Sequence, residues 1–221
     1  MRESIVIREE RVEDRRAVEE VMREAFWNYY SPKCSEHYLV HIMRDCAAFV
    51  PELALVACDG DNVVGAVMFL KGFIEGDDGA RHEILGLGPI AVLPAYQREG
   101  IGGALIERAA EKALDEGFSA MILMGDPDVY SRKGFVAAQN FGIRTEADAY
   151  MPVLQVRELR EGALDGAAGR YIEDAIYAVD EEACAEFDKQ FPEKEPVSGT
   201  PSQKRFDYLC SLVIDPKSVE Q

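Results

Sequence analysis

Basic residues, histidine and long apolar runs are all scarce in this chain, and each scarcity removes a class of function. Lysine and arginine total 24 against 41 aspartates and glutamates, giving a formal charge of −17 and a sequence pI near 4.6. Binding nucleic acid requires cations that displace the counterions of its phosphates, so no nucleic-acid partner is expected. No run reaches the ~18 apolar residues of a membrane span, and Met1-Arg2-Glu3-Ser4 opens no apolar signal core. Neither membrane insertion nor secretion is expected, and a cytoplasmic location is. Of the three histidines, His37 and His41 have the spacing of one helix face, but position 38 is tyrosine rather than glutamate and His82 is remote. The five cysteines, Cys34, Cys46, Cys58, Cys184 and Cys210, are odd in number and far apart. They read as reduced thiols, and no metal site is expected.

What the chain does have is 48% hydrophobic residues over a length of 221, enough for one substantial core and an appendage. Its acidity reads first as a solvated surface; concentrated near a site, it would also draw in a cation.

Ile5 to Arg8 has strand character. Val12, Ala17, Val18, Val21, Met22, Ala25 and Phe26 then recur at helical spacing, with Asp14 as the expected cap, and a second helix is expected over 36–49. The period changes to two over 53–58 and 63–70, across Asp59-Gly60-Asp61-Asn62, which predicts an antiparallel hairpin. After Phe73 a polar loop leads to a strand over about 83–93. Gly86, Gly88 and Pro89 interrupt it, which suggests an edge, a bulge or a ligand lying close to the backbone, or a plain bend at Pro89. A helix over 100–116 buries Ile101, Ala104, Leu105, Ala109, Ala113 and Leu114, and the apolar stretch 118–124 reads as a strand covered on both faces. Strand, helix, strand in this order gives a parallel unit in an otherwise antiparallel-leaning sheet, an α/β fold. Beyond it a strand is expected over 150–156, a helix over 180–187 and a polar linker over 192–202. Phe206 to Ile214 is expected to pack back on the main domain.

Residues 93–103 pass from an apolar strand into an amphipathic helix. Gly100, Gly102 and Gly103 lack the side chains that would keep an anion from the amides. The first turn of a helix also has N–H groups without internal partners and a partial positive charge. A diphosphate is expected here; the other reading of Gly102-Gly103 is close packing of helix on sheet.

Gln97-x-x-Gly100-x-Gly102, preceded by Ile90 to Pro94 and followed by Ala104-Leu105-Ile106, resembles the acetyl-CoA signature of the GCN5-related N-acetyltransferase (GNAT) superfamily. A second family feature follows at the expected distance, a strand at 120–123 and then Gly125 to Phe135, with Tyr130-x-x-x-Gly134-Phe135. The resemblance covers roughly residues 3–157, so a GNAT domain over 1–158 is expected, followed by a C-terminal extension over 159–221 that packs on the core or on a partner subunit. It implies a GNAT-like acyl-CoA N-acyltransferase fold: a mixed, mostly antiparallel central sheet with a splayed parallel strand pair and helices on both faces.

The same resemblance implies acetyl-CoA as the cosubstrate and direct attack by an amine on the thioester. The diphosphate would be held around Gln97, Arg98, Glu99, Gly100, Ile101, Gly102 and Gly103. The backbone of Ile90, Ala91 and Val92 would bond the pantetheine arm and the acetyl carbonyl, and Tyr130 would be the acid. Glu83 occupies a position from which some members recruit a carboxylate base. His82 beside it points to the opposite face of a strand, and plain surface exposure of both is the alternative. The implied activity is transfer of an acetyl group to a primary amine. Use of a longer acyl chain and a non-catalytic acyl-CoA-binding module are the rival readings. Trp27, Tyr29, Tyr30, Glu36, Tyr38, Asp77, Asp78 and Glu83, on or beside the loops that would shape the acceptor pocket, favour a cationic or amphiphilic amine, and a small-molecule amine is expected rather than a protein substrate. Pairing as a homodimer fits the family.

Overall fold

The computed structural model describes Arg2 and residues 4–218; Met1 and Glu3 of the N-terminal reading, and residues 219–221 of the expected extension, lie outside the described residues. The chain forms two compact units. The first comprises Met1–Phe69, Gly88–Ala109 and Ala175–Lys204, the second Leu70–Leu87, Ala110–Asp174 and Arg205–Gln221.

In the first unit, β1 (Ile5–Glu9) pairs antiparallel with β2 (Leu55–Asp59), and β2 with the start of β3 (Asn62–Gly76). The hairpin closes where Gly60 takes φ +59°, a conformation that costs glycine little. α1 (Arg15–Phe26) and α2 (Glu36–Met43) bury Val18, Val21 and Met22, and Leu39, Val40 and Met43. Each such side chain contributes about 1.5–3 kcal/mol when fully removed from water. Arg44, just past α2, is half-buried as a residue but hides its side chain, and its guanidinium is answered by Glu10 at 2.6 Å and Glu19 at 3.2 Å.

Two expectations change here. Asp14 does not cap α1 through its side chain. Its carboxylate accepts from the Arg11 amide at 2.7 Å and from Arg8 at 2.5 and 2.9 Å, and Arg8 holds its pKa below the usual carboxylate range. The second helix stops at Met43 rather than continuing to residue 49. Asp45 and Cys46 donate to carbonyls three residues back, tightening the chain into turns.

α3 (Ile101–Asp115) starts in the first unit, with Ile101, Leu105, Ile106 and Ala109 buried. The second unit contains the end of β3, the start of β4 (Arg81–Val92), β5 (Ala120–Met124) and the four-residue α4 (Pro127–Tyr130). The short strands β6 (Val136–Ala137) and β7 (Ile143–Arg144) follow, then β8 (Leu154–Glu158) and β9 (Gly169–Ile172). Strands are hydrogen bonded in the order β1-β2-β3-β4-β5-β8-β6, and β9 pairs with β3 and β7. β4 and β5 run parallel, as the strand–helix–strand reading requires, while β5 with β8 and β3 with β9 are antiparallel. Ile74, Ile84, Ile122, Ile143, Leu154, Val156 and Tyr171 form this unit's core.

The strand expected from Tyr150 begins only at Leu154. Pro152 has no N–H to give a ladder, and Leu154 donates back to Met151 in a turn. β9 was not expected. It lies beyond residue 158, so the C-terminal segment supplies a strand of the sheet. The last two helices are α5 (Glu181–Asp188), capped by Asp180 through the Ala183 amide at 2.8 Å, and α6 (Pro201–Ser211).

Candidate active site

The loop from β4 to α3 takes left-handed backbone at Arg98 (φ +63°) and Gly100 (φ +87°), which turns neighbouring amides toward one side. The Ala104 amide bonds to the Gly100 carbonyl at 3.0 Å, so the amides of Ile101, Gly102 and Gly103 precede the helical ladder. A Cβ at Gly100 or Gly103 would meet no atom within 4 Å, and one at Gly102 would meet only Val92 Cγ2, at 3.8 Å. Close packing therefore does not explain these glycines. That role belongs to Gly65, whose Cβ would stand 3.1 Å from the Ala91 carbonyl oxygen and 3.4 Å from Leu105 Cδ1. The space above Gly100, Gly102 and Gly103 fits a diphosphate, being open to the amides at the positive end of a 15-residue helix.

The side chains around this cradle are mostly committed to the protein. Gln97 donates from Nε2 to the Val92 carbonyl at 3.0 Å, tying the loop to its strand. Glu99 pairs with Arg2 at 2.7 Å, and Arg2 in turn covers the Tyr96 ring at 4.4 Å. This pairing raises the Arg2 pKa and neutralises a carboxylate that would otherwise oppose a phosphate. Ile101 is buried and has only its main chain to offer, while Arg98 is exposed. Among the described residues, the parallel register of β4 and β5 comprises Leu85↔Met121 and Gly86↔Ile122, although β4 runs on to Val92. Ile90, Ala91 and Val92 lie in that continuation, after a cis Gly88-Pro89 peptide.

Tyr130 closes α4 and is half-buried. Its ring packs edge-on against Phe135, with centroids 5.8 Å apart, and Lys133 Nζ lies 5.5 Å from its centre. The slot exists because position 125 is glycine, whose Cβ would fall 2.4 Å from Tyr130 Cε2. Glu83 is exposed on β4, and its neighbour His82 is half-buried, with a buried Nε2 that has no hydrogen-bond partner among the described residues. The two thus face different surroundings, as alternation along a strand requires.

A cavity of about 650 Å³ lies in the first unit, lined among others by Ser31, Lys33, Cys34, Tyr177, Glu181 and Asp188. Sequence reasoning did not single out Tyr177, whose hydroxyl donates to the Gly88 carbonyl at 3.1 Å. Several residues expected to shape the acceptor pocket are occupied elsewhere. Asp77 pairs with Arg144 at 2.9 Å, and Trp27 donates to the Glu195 carbonyl at 3.0 Å.

Beside the cavity, His37 Nδ1 is 3.6 Å from Cys34 Sγ, and His37 Nε2 is 3.1 Å from Asp188 Oδ1, which also takes Arg23 Nε at 2.6 Å. Burial pushes the Cys34 thiol up, away from the thiolate, and lowers His37 from 6.5 to about 4 against the opposing pull of Asp188. The folded protein thus holds His37 neutral, whereas the unfolded chain protonates it below about pH 6.5. Stability is complete above that pH and is lost as pH falls toward 4, by at most about 3 kcal/mol. Melting temperatures should decline across this window, and less steeply in His37→Phe; equal slopes would place the acid sensitivity on another group.

Residues 19–135, more than half of the chain, match the model of the acetyltransferase (GNAT) family. The chain is 31% identical over 136 residues to the uncharacterized N-acetyltransferase YhbS of Escherichia coli K12, covering 61% of this chain and 78% of that protein. The crystal structure of E. coli YhbS in complex with CoA superposes with a TM-score of 0.71 at 26% identity, over 80% of this chain and 93% of that one. A GNAT-family acetyltransferase from Brucella melitensis in complex with acetyl-CoA gives a TM-score of 0.63 at 29% identity, over 78% and 97%. With the matched segment reaching from α1 to Phe135 through the glycine cradle, this chain belongs to the acetyltransferase (GNAT) family.

Proposed function

We propose that this protein transfers the acetyl group of acetyl-CoA directly to the primary amine of a small, cationic acceptor. Family membership makes it an acetyl-CoA-dependent N-acetyltransferase, and the neighbours solved with CoA and acetyl-CoA support the same cosubstrate here. The observation that carries the reading is the start of α3, where, among the described residues, a Cβ added at Gly100 or Gly103 would meet nothing within 4 Å and one at Gly102 only Val92 Cγ2 at 3.8 Å.

In this reading the amides around Gly100 to Gly103 hold the diphosphate, and the backbone of Ile90 to Val92 aligns the pantetheine arm and polarises the acetyl carbonyl. The neutral amine attacks the carbonyl carbon, the carbon–sulfur bond breaks, and Tyr130 gives its phenolic proton to the departing sulfur. Glu83, exposed on β4, accepts the amine's proton through water. The acceptor enters the cavity beside Tyr177, a residue that both lines it and bonds the β4 backbone two residues before Ile90. Glu181 supplies negative charge there, since Asp188 is already paired with Arg23. A homodimer is proposed on the resemblance alone, and light scattering checks it.

Thiol release from acetyl-CoA, measured with spermidine, amino acids and aminoglycosides and matched to the mass of the N-acetylated product, tests the reading. Turnover should favour the polycations, and Glu181→Gln should raise their KM. CoA binding without thiol release across the panel would instead make the protein an acyl-CoA-binding module.

A further inference from the structure

We propose that Arg205, on the C-terminal helix α6, is a positioning residue for Tyr130; the inference rests on the reading of Tyr130 as the proton donor. α4 has four residues, too few to hold a helical turn unaided. Asp126 secures it from both its side chain and its main chain. The Oδ1 atom accepts the Asp128 amide at 2.9 Å, and the Asp126 carbonyl accepts the amides of Val129 at 2.9 Å and Tyr130 at 3.2 Å. The direction in which Tyr130 leaves the turn is thus fixed by where Asp126 sits.

Arg205 determines that place. Its Nε meets Asp126 Oδ2 at 2.9 Å and its Nη2 meets Asp126 Oδ1 at 3.0 Å, while Nη2 also reaches Asp128 Oδ2 at 2.7 Å. The fork neutralises two carboxylates that would repel each other, and its planar geometry fixes the Asp126 carboxylate in orientation as well as charge. The Arg205 hydrogen bond holds the Asp126 pKa below the usual carboxylate range. Exposed ion pairs of this kind add little to global stability; the use of this one is geometric. The Tyr130 ring has to enter the slot left by Gly125, where a Cβ would already stand 2.8 Å from Tyr130 Cδ2, so a small rotation of the turn carries the phenol out of register.

Incorporation of 3-fluorotyrosine tests this without an acceptor. The Tyr130 ¹⁹F signal is assigned by its absence in Tyr130→Phe. Arg205→Ala should shift or broaden that signal, leaving that of Tyr150 in place, and Arg205→Lys, which keeps the charge but not the fork, should restore it in part. An unchanged Tyr130 signal in folded Arg205→Ala overturns the proposal. So does a joint shift of Tyr130 and Tyr150, because Tyr150 bridges Ile214 beyond α6, and general loosening of the tail would move both. If Arg205→Ala does not fold, Asp126→Asn gives the same test from the other partner, with the same outcomes. Full turnover in Tyr130→Phe would remove the catalytic assignment of Tyr130 but leave the effect of Arg205 on its ring, so the two failures are distinguishable.

Discussion

Gly102→Leu should weaken acetyl-CoA binding about tenfold or more, a loss of at least about 1.4 kcal/mol, without unfolding the protein. The structure separates these two effects. The backbone at Gly102 does not need a positive φ, and the nearest atom to an added Cβ is Val92 Cγ2 at 3.8 Å, an ordinary contact. A leucine there is tolerated by the fold and projects into the space required by the diphosphate. Calorimetry on a variant that melts like the parent is the measurement, and unchanged affinity would remove the glycine cradle from the binding site. Gly100 is a poorer probe, because its φ of +87° would strain any other residue.

Tyr130→Phe should lower turnover by about a hundredfold or more, the usual scale for a lost general acid, with acetyl-CoA affinity and melting temperature preserved. Phenylalanine retains the ring that fills the slot beside Gly125 and packs on Phe135, so the variant removes a hydroxyl and little else. Rates equal to the parent's with any amine that the parent acetylates would mean that the sulfur is protonated by another route.

What was legible in the sequence was local. The hairpin through Gly60, the helix beginning at Ile101 and the open glycines before it depend on neighbours within a few residues, and the periods of two and 3.6 reveal them. What escaped was non-local. β9 is four residues long and includes Gly169, whose Cβ would fall 2.1 Å from the Glu75 carbonyl oxygen; glycine reads as a turn until the strand beside it is known. Arg205 and Asp126 are 79 residues apart, and nothing in the spacing of charges distinguishes that pair from the many that never meet. Asp14 looked like a cap because aspartate before a helix usually is one, and a guanidinium on the preceding strand competed for it successfully. Tyr177 gave no signal, since its partner is a main-chain carbonyl that could have belonged to any residue.

The glycines divide by what occupies the place of the missing side chain. At Gly65, Gly125 and Gly169 the protein fills that place with its own atoms; at Gly100, Gly102 and Gly103 it does not. A larger residue at Gly102 or Gly103 therefore leaves the protein's own packing in place, whereas at Gly65, Gly125 or Gly169 it must displace neighbouring atoms, so the first kind of substitution reports on what the loop meets in solution and the second on folding.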